Sequence, residues 1–187
     1  MLNYIYVDNS NLFIEGQRTS AVKCGHARNI GDAMDRGILD FDWNLDYGRL
    51  YELVCGDQAE VARARLWGSP PPGDSFWEIV KKNGWDVQIF ERNAAGKEKK
   101  VDTAITYRLT KDAYTVIDRK NSEITLVAGD KDYAPAIEDL VKEGFKVTVA
   151  FWKHGAKELR DVASNFFELD KYVDIVGKKR SAPGSRS

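Results

Sequence analysis

Short apolar runs rich in β-branched and aromatic residues alternate along the chain with stretches in which apolar residues recur every three or four positions. The five main runs cover residues 3–7, 61–67, 85–91, 124–128 and 146–151. Such runs predict buried strands, and a shorter apolar run at 172–176 predicts one more. Alternating strands and helices predict an α/β fold, a three-layer sandwich with a central, mostly parallel sheet of about five strands.

Capping residues and glycines mark where the predicted helices begin and end. Asp46 and Asp74 each stand before a helical pattern that a glycine closes, which is typical of helix start and stop signals. Further helices are predicted from Val101 and around Pro135. The last predicted helix carries Leu159, Val162, Ala163 and Phe166.

The chain has 187 residues, which suits one domain. We predict that residues 1–176 form it. Residues 15–44 contain four glycines and few periodic apolar positions, which predicts an irregular insertion or lid. Residues 177–187 are rich in Ser, Gly and basic residues and predict a flexible basic tail.

The net charge and the cysteine content limit the classes of protein to which the chain could belong. The formal net charge is −1, so the chain as a whole does not attract nucleic acid, although basic runs near residues 92–100 and 178–180 could hold phosphates. Two cysteines are too few for a disulfide framework. The first apolar run lacks a basic leader, and no stretch is long enough to span a bilayer. We therefore expect a cytoplasmic protein with no membrane partner.

Acidic and amide side chains follow two of the predicted strands. Asp8 and Asn11 come after the first strand, and Asp130 and Asp132 after the fourth. In an open α/β sheet the ligand site lies beyond the carboxyl ends of the strands. Carboxylates held close together there need a compensating cation, so the pattern predicts a metal site made of oxygen ligands.

Asp102, in the first turn of a predicted helix, adds a third acidic position at the same edge. Each acid also has an ordinary structural explanation, as a turn residue, a helix cap or a partner of the helix dipole. Five carboxylate or amide positions at three strand–helix junctions nevertheless favour a shared site.

Three segments carry a resemblance to a known family. Residues 7–13 (Val-Asp-Asn-Ser-Asn-Leu-Phe) resemble the "DGSN" opening of NYN domains, which are PIN-like nucleases. Residues 100–104 (Lys-Val-Asp-Thr-Ala) resemble their "KGVD" helix start, and residues 128–133 (Ala-Gly-Asp-Lys-Asp-Tyr) resemble their "SGDSDF" segment. The order and spacing agree, and the resemblance extends from about residue 3 to residue 170.

The resemblance implies a ribonuclease that depends on Mg²⁺ or Mn²⁺ and hydrolyses RNA phosphodiester bonds. The catalytic positions that it carries over are Asp8, Asn11, Asp102, Asp130 and Asp132. Of these, we expect Asp8, Asp102 and Asp130 to bind the metal directly. Hard carboxylate oxygens suit both ions, and one or two such ions can activate water and stabilise the leaving oxygen.

Basic residues near the same edge are predicted to bind the RNA, which would be single-stranded or structured. They are Arg92, Lys97, Lys99, Lys100 and Lys131. Such contacts to phosphates confer affinity but little sequence choice. The sequence leaves open whether the chain forms a homodimer.

The chain departs from the family pattern at a few positions. Asn9 stands where Gly is usual, and no Gly separates Lys100 from Val101. Asn165 stands where Asp is frequent, and Ala156 replaces a frequent Ser. The last two put a peripheral acidic contribution in doubt and leave the three core motifs intact.

A non-catalytic RNA-binding or adaptor module with the same fold is the alternative. The acidic set argues against it, because surplus carboxylates repel RNA unless a metal is bound. Three other α/β classes are excluded by residues 8–10 and 91–92. A receiver domain needs an acidic pair after the first strand, a haloacid-dehalogenase-type phosphatase needs Asp-x-Asp there, and a dinucleotide-binding domain needs a glycine-rich turn.

Overall fold

A parallel sheet forms the middle layer of the computed structural model, which describes residues 1–56, 60–70, 75–90 and 101–179. The elements in chain order are β1 (Leu2–Asp8), α1 (Asn9–Lys23), α2 (Ile30–Asp35), β2 (Trp43–Leu45), α3 (Tyr47–Cys55), β3 (Val61–Gly68), α4 (Ser75–Lys82), β4 (Asp86–Ile89), α5 (Val101–Thr115), β5 (Ser122–Val127), α6 (Ala134–Lys142), β6 (Val147–Phe151), α7 (Lys157–Val162), β7 (Asn165–Glu168), α8 (Val173–Val176) and β8 (Gly177–Lys179). Short 3₁₀ turns cover Lys131–Tyr133 and Asp170–Tyr172.

The strand order confirms the predicted fold class. Among the described residues the sheet has six strands in the order β4-β3-β1-β5-β6-β7, and every neighbouring pair is parallel. The chain starts in the centre at β1, extends to one edge through β3 and β4, and then crosses to the other side through β5, β6 and β7. This reversal makes the junction of β1 with β5 a topological switch point, where α/β proteins place their ligand sites.

Two predictions near the C-terminal end of the domain are wrong. Helix α7 ends at Val162, and Ala163 takes an extended conformation, so that Asn165–Glu168 forms the sixth strand, β7, against β6. The apolar run at 172–176 forms the helix α8 instead of a strand. Both runs are too short for periodicity to distinguish helix from strand, and pairing with the sheet decided the outcome.

The prediction of an irregular segment at 15–44 is also wrong, since α1 continues to Lys23 and α2 follows. The buried face of α1 consists mostly of small and polar side chains, so the sequence there lacks the periodic large apolar residues that usually indicate a helix. A Cβ on Gly16 would lie 2.5 Å from the ring of Trp43, so only glycine allows this close packing. The Gln17 side chain donates to the Trp43 carbonyl at 3.3 Å, and the Ser20 hydroxyl donates to Asp40 at 2.7 Å.

Two apolar cores lie on opposite faces of the sheet. One joins the sheet to α1, α3, α4 and α8 and contains the edge-to-face pair Trp43 and Trp152. The other joins the sheet to α5, α6 and α7 through residues such as Ile105, Ile137 and Leu159. Helices on both faces leave the two ends of the strands as the accessible parts of the sheet.

A buried ion pair ties α5 to the sheet. Arg65 of β3, with a side chain only 2% exposed, donates to the carboxylate of Asp112 on α5. The Tyr6 hydroxyl donates to the same carboxylate at 2.8 Å, and the Nε of Arg108 lies 3.6 Å from its other oxygen. These contacts fix the position of the helix that begins at Val101.

The first residues of the predicted tail are part of the fold. Gly177–Lys179 forms β8, which pairs antiparallel with β2, so the prediction of a flexible tail from residue 177 is wrong for these three residues. The rest of that tail, residues 180–187, lies outside the described residues. No helix in the described part of the chain has the length and apolar character needed to cross a membrane.

Candidate active site

Asp8 stands at the carboxyl end of β1 and caps α1. It is 8% exposed. One carboxylate oxygen accepts the backbone N–H of Asn11 at 3.1 Å, and the other accepts the hydroxyl of Tyr133 at 2.9 Å. An aspartate at this position satisfies an otherwise unpaired N–H of the first helical turn. Its carboxylate is therefore held in one orientation at the switch point of the sheet.

Asn11 fixes the backbone that leads to Asp130. Its side-chain oxygen accepts the backbone N–H of Gly129 at 2.8 Å, and the Gly129 carbonyl accepts the N–H of Ala156 at 2.8 Å. Gly129 is thus held from both sides just after β5 ends. The described contacts of the Asn11 side chain give it a positioning role rather than a direct contact with another carboxylate.

A side chain at position 129 would collide with the core. A Cβ built on Gly129 overlaps the ring of Phe151, a buried residue of β6. The absence of a Cβ is what allows the end of β5 to lie close to β6 and the loop that follows it.

We expect Gly129→Ala to lower the free energy of unfolding by about 1–3 kcal/mol, as overpacked cores usually do. If the chain cleaves RNA, the rate is expected to fall as well, because Asp130 would be displaced. Denaturant unfolding measures the first effect. Gly31→Ala is the matched control, since Gly31 is exposed on α2 and only the Asn29 side chain lies nearby; equal stability of the two variants would contradict the steric argument.

Asp130 and Asp132 occupy the turn after β5. The Asp130 carboxylate accepts the backbone N–H of Asp132 at 3.1 Å and so caps the 3₁₀ turn Lys131–Tyr133. Both side chains are exposed, as is that of Lys131. The turn therefore presents two carboxylates and one ammonium group to solvent beside the buried Asp8.

The Tyr133 hydroxyl contacts one of the predicted acids, and the charges of two more act on it. Its ring is buried, and its hydroxyl pKa is raised, first by burial, then by the charge of Asp8 and the hydrogen bond to it, and then by the charges of Asp102 and Asp130. Asp8 therefore contacts the phenol directly, whereas Asp102 and Asp130 act on it at longer range. The field of three negative charges is what a divalent cation would neutralise.

Sequence reasoning missed this role of Tyr133. Burial of the ring excludes stacking on a base from solvent. The hydroxyl and Asp8 are 125 residues apart in the chain, so no local sequence signal could pair them.

Asp102 lies in the first turn of α5 and is half-buried. Together with Lys131 and Asp132 it lines an open groove of about 680 Å³, whose further wall includes Glu138, Glu158 and Asp161. The groove joins the predicted acids at the carboxyl edge of the sheet to the space between α6 and α7.

The donor chemistry of this edge fits a hard divalent cation, although a closed cage is not preformed. Across the described ranges, no three His, Cys, Asp or Glu side chains are grouped tightly enough to hold a metal. Mg²⁺ is usually bound through one or two carboxylates and keeps several waters. Asp8, Asp102 and Asp130 are the carboxylates at this edge that such an ion would use.

Most of the residues predicted to bind RNA cannot be placed. Arg92, Lys97, Lys99 and Lys100 lie outside the described residues. Lys131 is exposed in the groove beside Asp132. It is the member of the predicted set that the structure brings to the acidic edge.

Asn9, which replaces a family glycine, has a structural role. It is almost fully buried, and its side-chain oxygen accepts the hydroxyl of Tyr47 at 2.8 Å. The substitution therefore joins α1 to α3 without disturbing Asp8.

A second polar cluster supports the site from one turn further along α1. The Nε2 of His154 lies 2.6 Å from the Glu15 carboxylate, which also accepts from Arg18. Burial acts to raise the pKa of Glu15, but the hydrogen bonds from His154 and Arg18 outweigh it and hold that pKa below its usual value. This cluster fixes α1 against the loop after β6, which in turn holds Gly129.

Comparison with known proteins supports the fold described above. The family model described as NYN domain matches residues 4–170. A crystal structure of a protein of unknown function from Vibrio parahaemolyticus is similar in fold, with a TM-score of 0.62 and 20% identity over 89% of this chain and 91% of that chain. No curated protein matches.

Proposed function

Because the chain belongs to the NYN domain family, which implies a PIN-like nuclease fold, we propose that it is a metal-dependent ribonuclease that hydrolyses RNA phosphodiester bonds. The observation that supports this most strongly is the hydrogen bond from the buried Tyr133 hydroxyl to Asp8 at the switch point of the sheet, with the charges of Asp102 and Asp130 acting on the same phenol. These acids come from three separate segments of the chain.

Asp8, Asp102 and Asp130 would hold Mg²⁺ or Mn²⁺, with Asp132 contributing through water. A bound ion of this kind activates water as a nucleophile and stabilises the charge on the leaving oxygen. Carboxylate oxygens without His or Cys ligands favour these ions over zinc.

The remaining groups of the site orient these carboxylates and the substrate. The Tyr133 hydroxyl and the Asn11 N–H donate to the two oxygens of Asp8, which fixes the plane of its carboxylate. Asp132 can accept a proton from the attacking water, and Lys131 can contact the phosphate on which the reaction occurs. No covalent bond between enzyme and RNA is required.

A non-catalytic RNA-binding module is the second candidate. It is favoured by the observation that the described acids do not form a closed cage for a metal. A module of this kind would bind RNA and leave it intact at every concentration of divalent ion.

A cleavage assay on a fluorescently labelled single-stranded RNA decides between the two. We expect cleavage in Mg²⁺ or Mn²⁺ and none after chelation by EDTA. Calorimetric titration with Mn²⁺ alone should show heat of binding. Cleavage that persists in EDTA would contradict the proposal, and RNA binding without cleavage in either ion would favour the adaptor.

A further inference from the structure

The outer face of α5 carries a row of side chains that the site does not use. Thr103, Tyr107, Lys111 and Tyr114 are all exposed, and their spacing of three or four residues places them on one face of the helix. We call this row the tyrosine stripe. Tyr107 and Tyr114 are 64% and 56% exposed, which is unusual for two large rings on one helix.

The stripe carries positive charge, which binding to a phosphate backbone requires. All residues of α5 are described, and its two acids are Asp102, at the candidate metal centre, and Asp112, buried against Arg65. Neither acid of α5 therefore lies on the stripe, and the next carboxylate along the chain, Asp118, is exposed beyond its far end. Lys111 places its ammonium group 5.8 Å from the centre of the Tyr107 ring, and Arg108 is partly exposed beside it.

The far end of the stripe opens into a cleft. The cleft, of about 380 Å³, is lined by residues that include Tyr114, Val116, Arg119 and Phe145. Tyr114 packs edge-to-face on Phe145 at 5.9 Å, and the Arg119 guanidinium lies 4.8 Å above the same ring. A volume of this size falls within the range of sites that hold small ring systems.

We propose that the tyrosine stripe binds single-stranded RNA and leads the strand away from the acidic site. This inference rests on the proposed function and specifies where the substrate lies. Tyr107 follows Asp102 by about 7.5 Å along the helix axis, and Tyr114 follows Tyr107 by about 10.5 Å. The second interval is about three times the 3.4 Å spacing of stacked nucleotides in duplex DNA, so the two rings are far enough apart to stack on different bases of one strand while Lys111 contacts a phosphate between them.

Equilibrium binding of a fluorescein-labelled 12-nucleotide oligouridylate, measured by anisotropy in EDTA, tests the stripe apart from cleavage. We expect Tyr107→Ala and Tyr114→Ala each to raise Kd about tenfold, as loss of a stacking ring does. Tyr107→Phe and Tyr114→Phe keep the rings and should bind within about twofold of wild type. Lys111→Gln should weaken binding and lower the salt slope by about one.

The matched control is Phe41→Ala, which removes a ring that is 70% exposed and lies away from α5. It should leave Kd unchanged. The same oligonucleotide annealed to its complement should not respond to the tyrosine variants, because its bases are already stacked. Equal binding by the alanine variants and wild type would overturn the inference, as would an equal loss in Phe41→Ala.

Cleavage kinetics separate this inference from the proposed function. If wild type cleaves RNA, the alanine variants should raise KM and leave kcat unchanged. Cleavage with unchanged KM in these variants would overturn the stripe and leave the nuclease intact. Binding that depends on the stripe without any cleavage would overturn the nuclease and leave the stripe intact.

Discussion

Asp8→Asn is expected to reduce RNA cleavage by at least about 100-fold, a loss at the upper end of what changes around metal ligands cause. Asparagine is isosteric with aspartate and is an equally good helix cap, so its oxygen keeps the contact with the Asn11 N–H. The substitution removes the negative charge and replaces the oxygen that accepts the Tyr133 hydroxyl with an amide NH2. Initial rates in Mg²⁺ and Mn²⁺ measure the loss.

Thermal unfolding of Asp8→Asn should show little change in stability. Removing one of several clustered carboxylates relieves repulsion and offsets the loss of the oxygen that accepts the Tyr133 hydroxyl, so the unfolding midpoint should stay close to that of wild type. A loss of activity without a loss of stability identifies a site residue that the fold does not require.

Asp174→Asn is the matched control for that experiment. Asp174 is on α8, is 70% exposed and pairs with Lys23 at 2.5 Å, and an exposed ion pair contributes little to stability. Its cleavage rate should stay within about twofold of wild type. Wild-type cleavage by Asp8→Asn would remove Asp8 from the catalytic set and with it the proposed metal centre.

Asp112→Ala is expected to lower the free energy of unfolding by about 3–5 kcal/mol, the usual result of breaking a buried ion pair by removing one partner. Arg65 is only 2% exposed and would lose its buried counter-ion, and its remaining acid, Asp86 at 3.4 Å, lies at the surface. The Tyr6 hydroxyl would lose its acceptor as well. Urea or guanidinium unfolding monitored by tryptophan fluorescence measures the change.

Replacing both partners at once should lower the free energy of unfolding much less. The double variant Arg65→Met with Asp112→Leu fills the same space with apolar groups and leaves no buried unpaired charge, which in other proteins is often neutral or stabilising. The remaining cost comes from the Tyr6 hydroxyl, which loses its acceptor. Glu138→Ala is the control, because Glu138 forms an exposed pair with Lys142 at 2.7 Å and should cost less than about 1 kcal/mol. A cost below about 1 kcal/mol for Asp112→Ala would contradict the structural role of the pair.

The parts of the fold that sequence patterns predicted correctly are those in which large apolar residues mark the buried face. The five main strands and the helices α3, α4, α5 and α6 all appear close to the predicted positions. Helix α1 was missed because its buried positions after Leu12 are small or polar, namely Gly16, Gln17, Thr19, Ser20 and Ala21. The close packing at Gly16 depends on the rings of Trp43 and Trp152, which approach from distant segments.

The strand β7 was not predicted for a different reason. Its four residues contain two phenylalanines and could continue the preceding helix as well as form a strand. The backbone groups of β6 were free to pair on that side, and pairing with them decided the conformation. Local preference was too weak over four residues to determine the structure.

The sequence by itself determined which residues could act at the carboxyl edge of the sheet, because strand ends and helix starts are marked locally by Asp8, Asp102 and Asp130. Only the tertiary structure decided that a buried Tyr133 hydroxyl contacts Asp8 and that Asn11 holds the Gly129 backbone. The physical reason is that hydrogen-bond partners more than a hundred residues apart are chosen by the packing of the whole sheet.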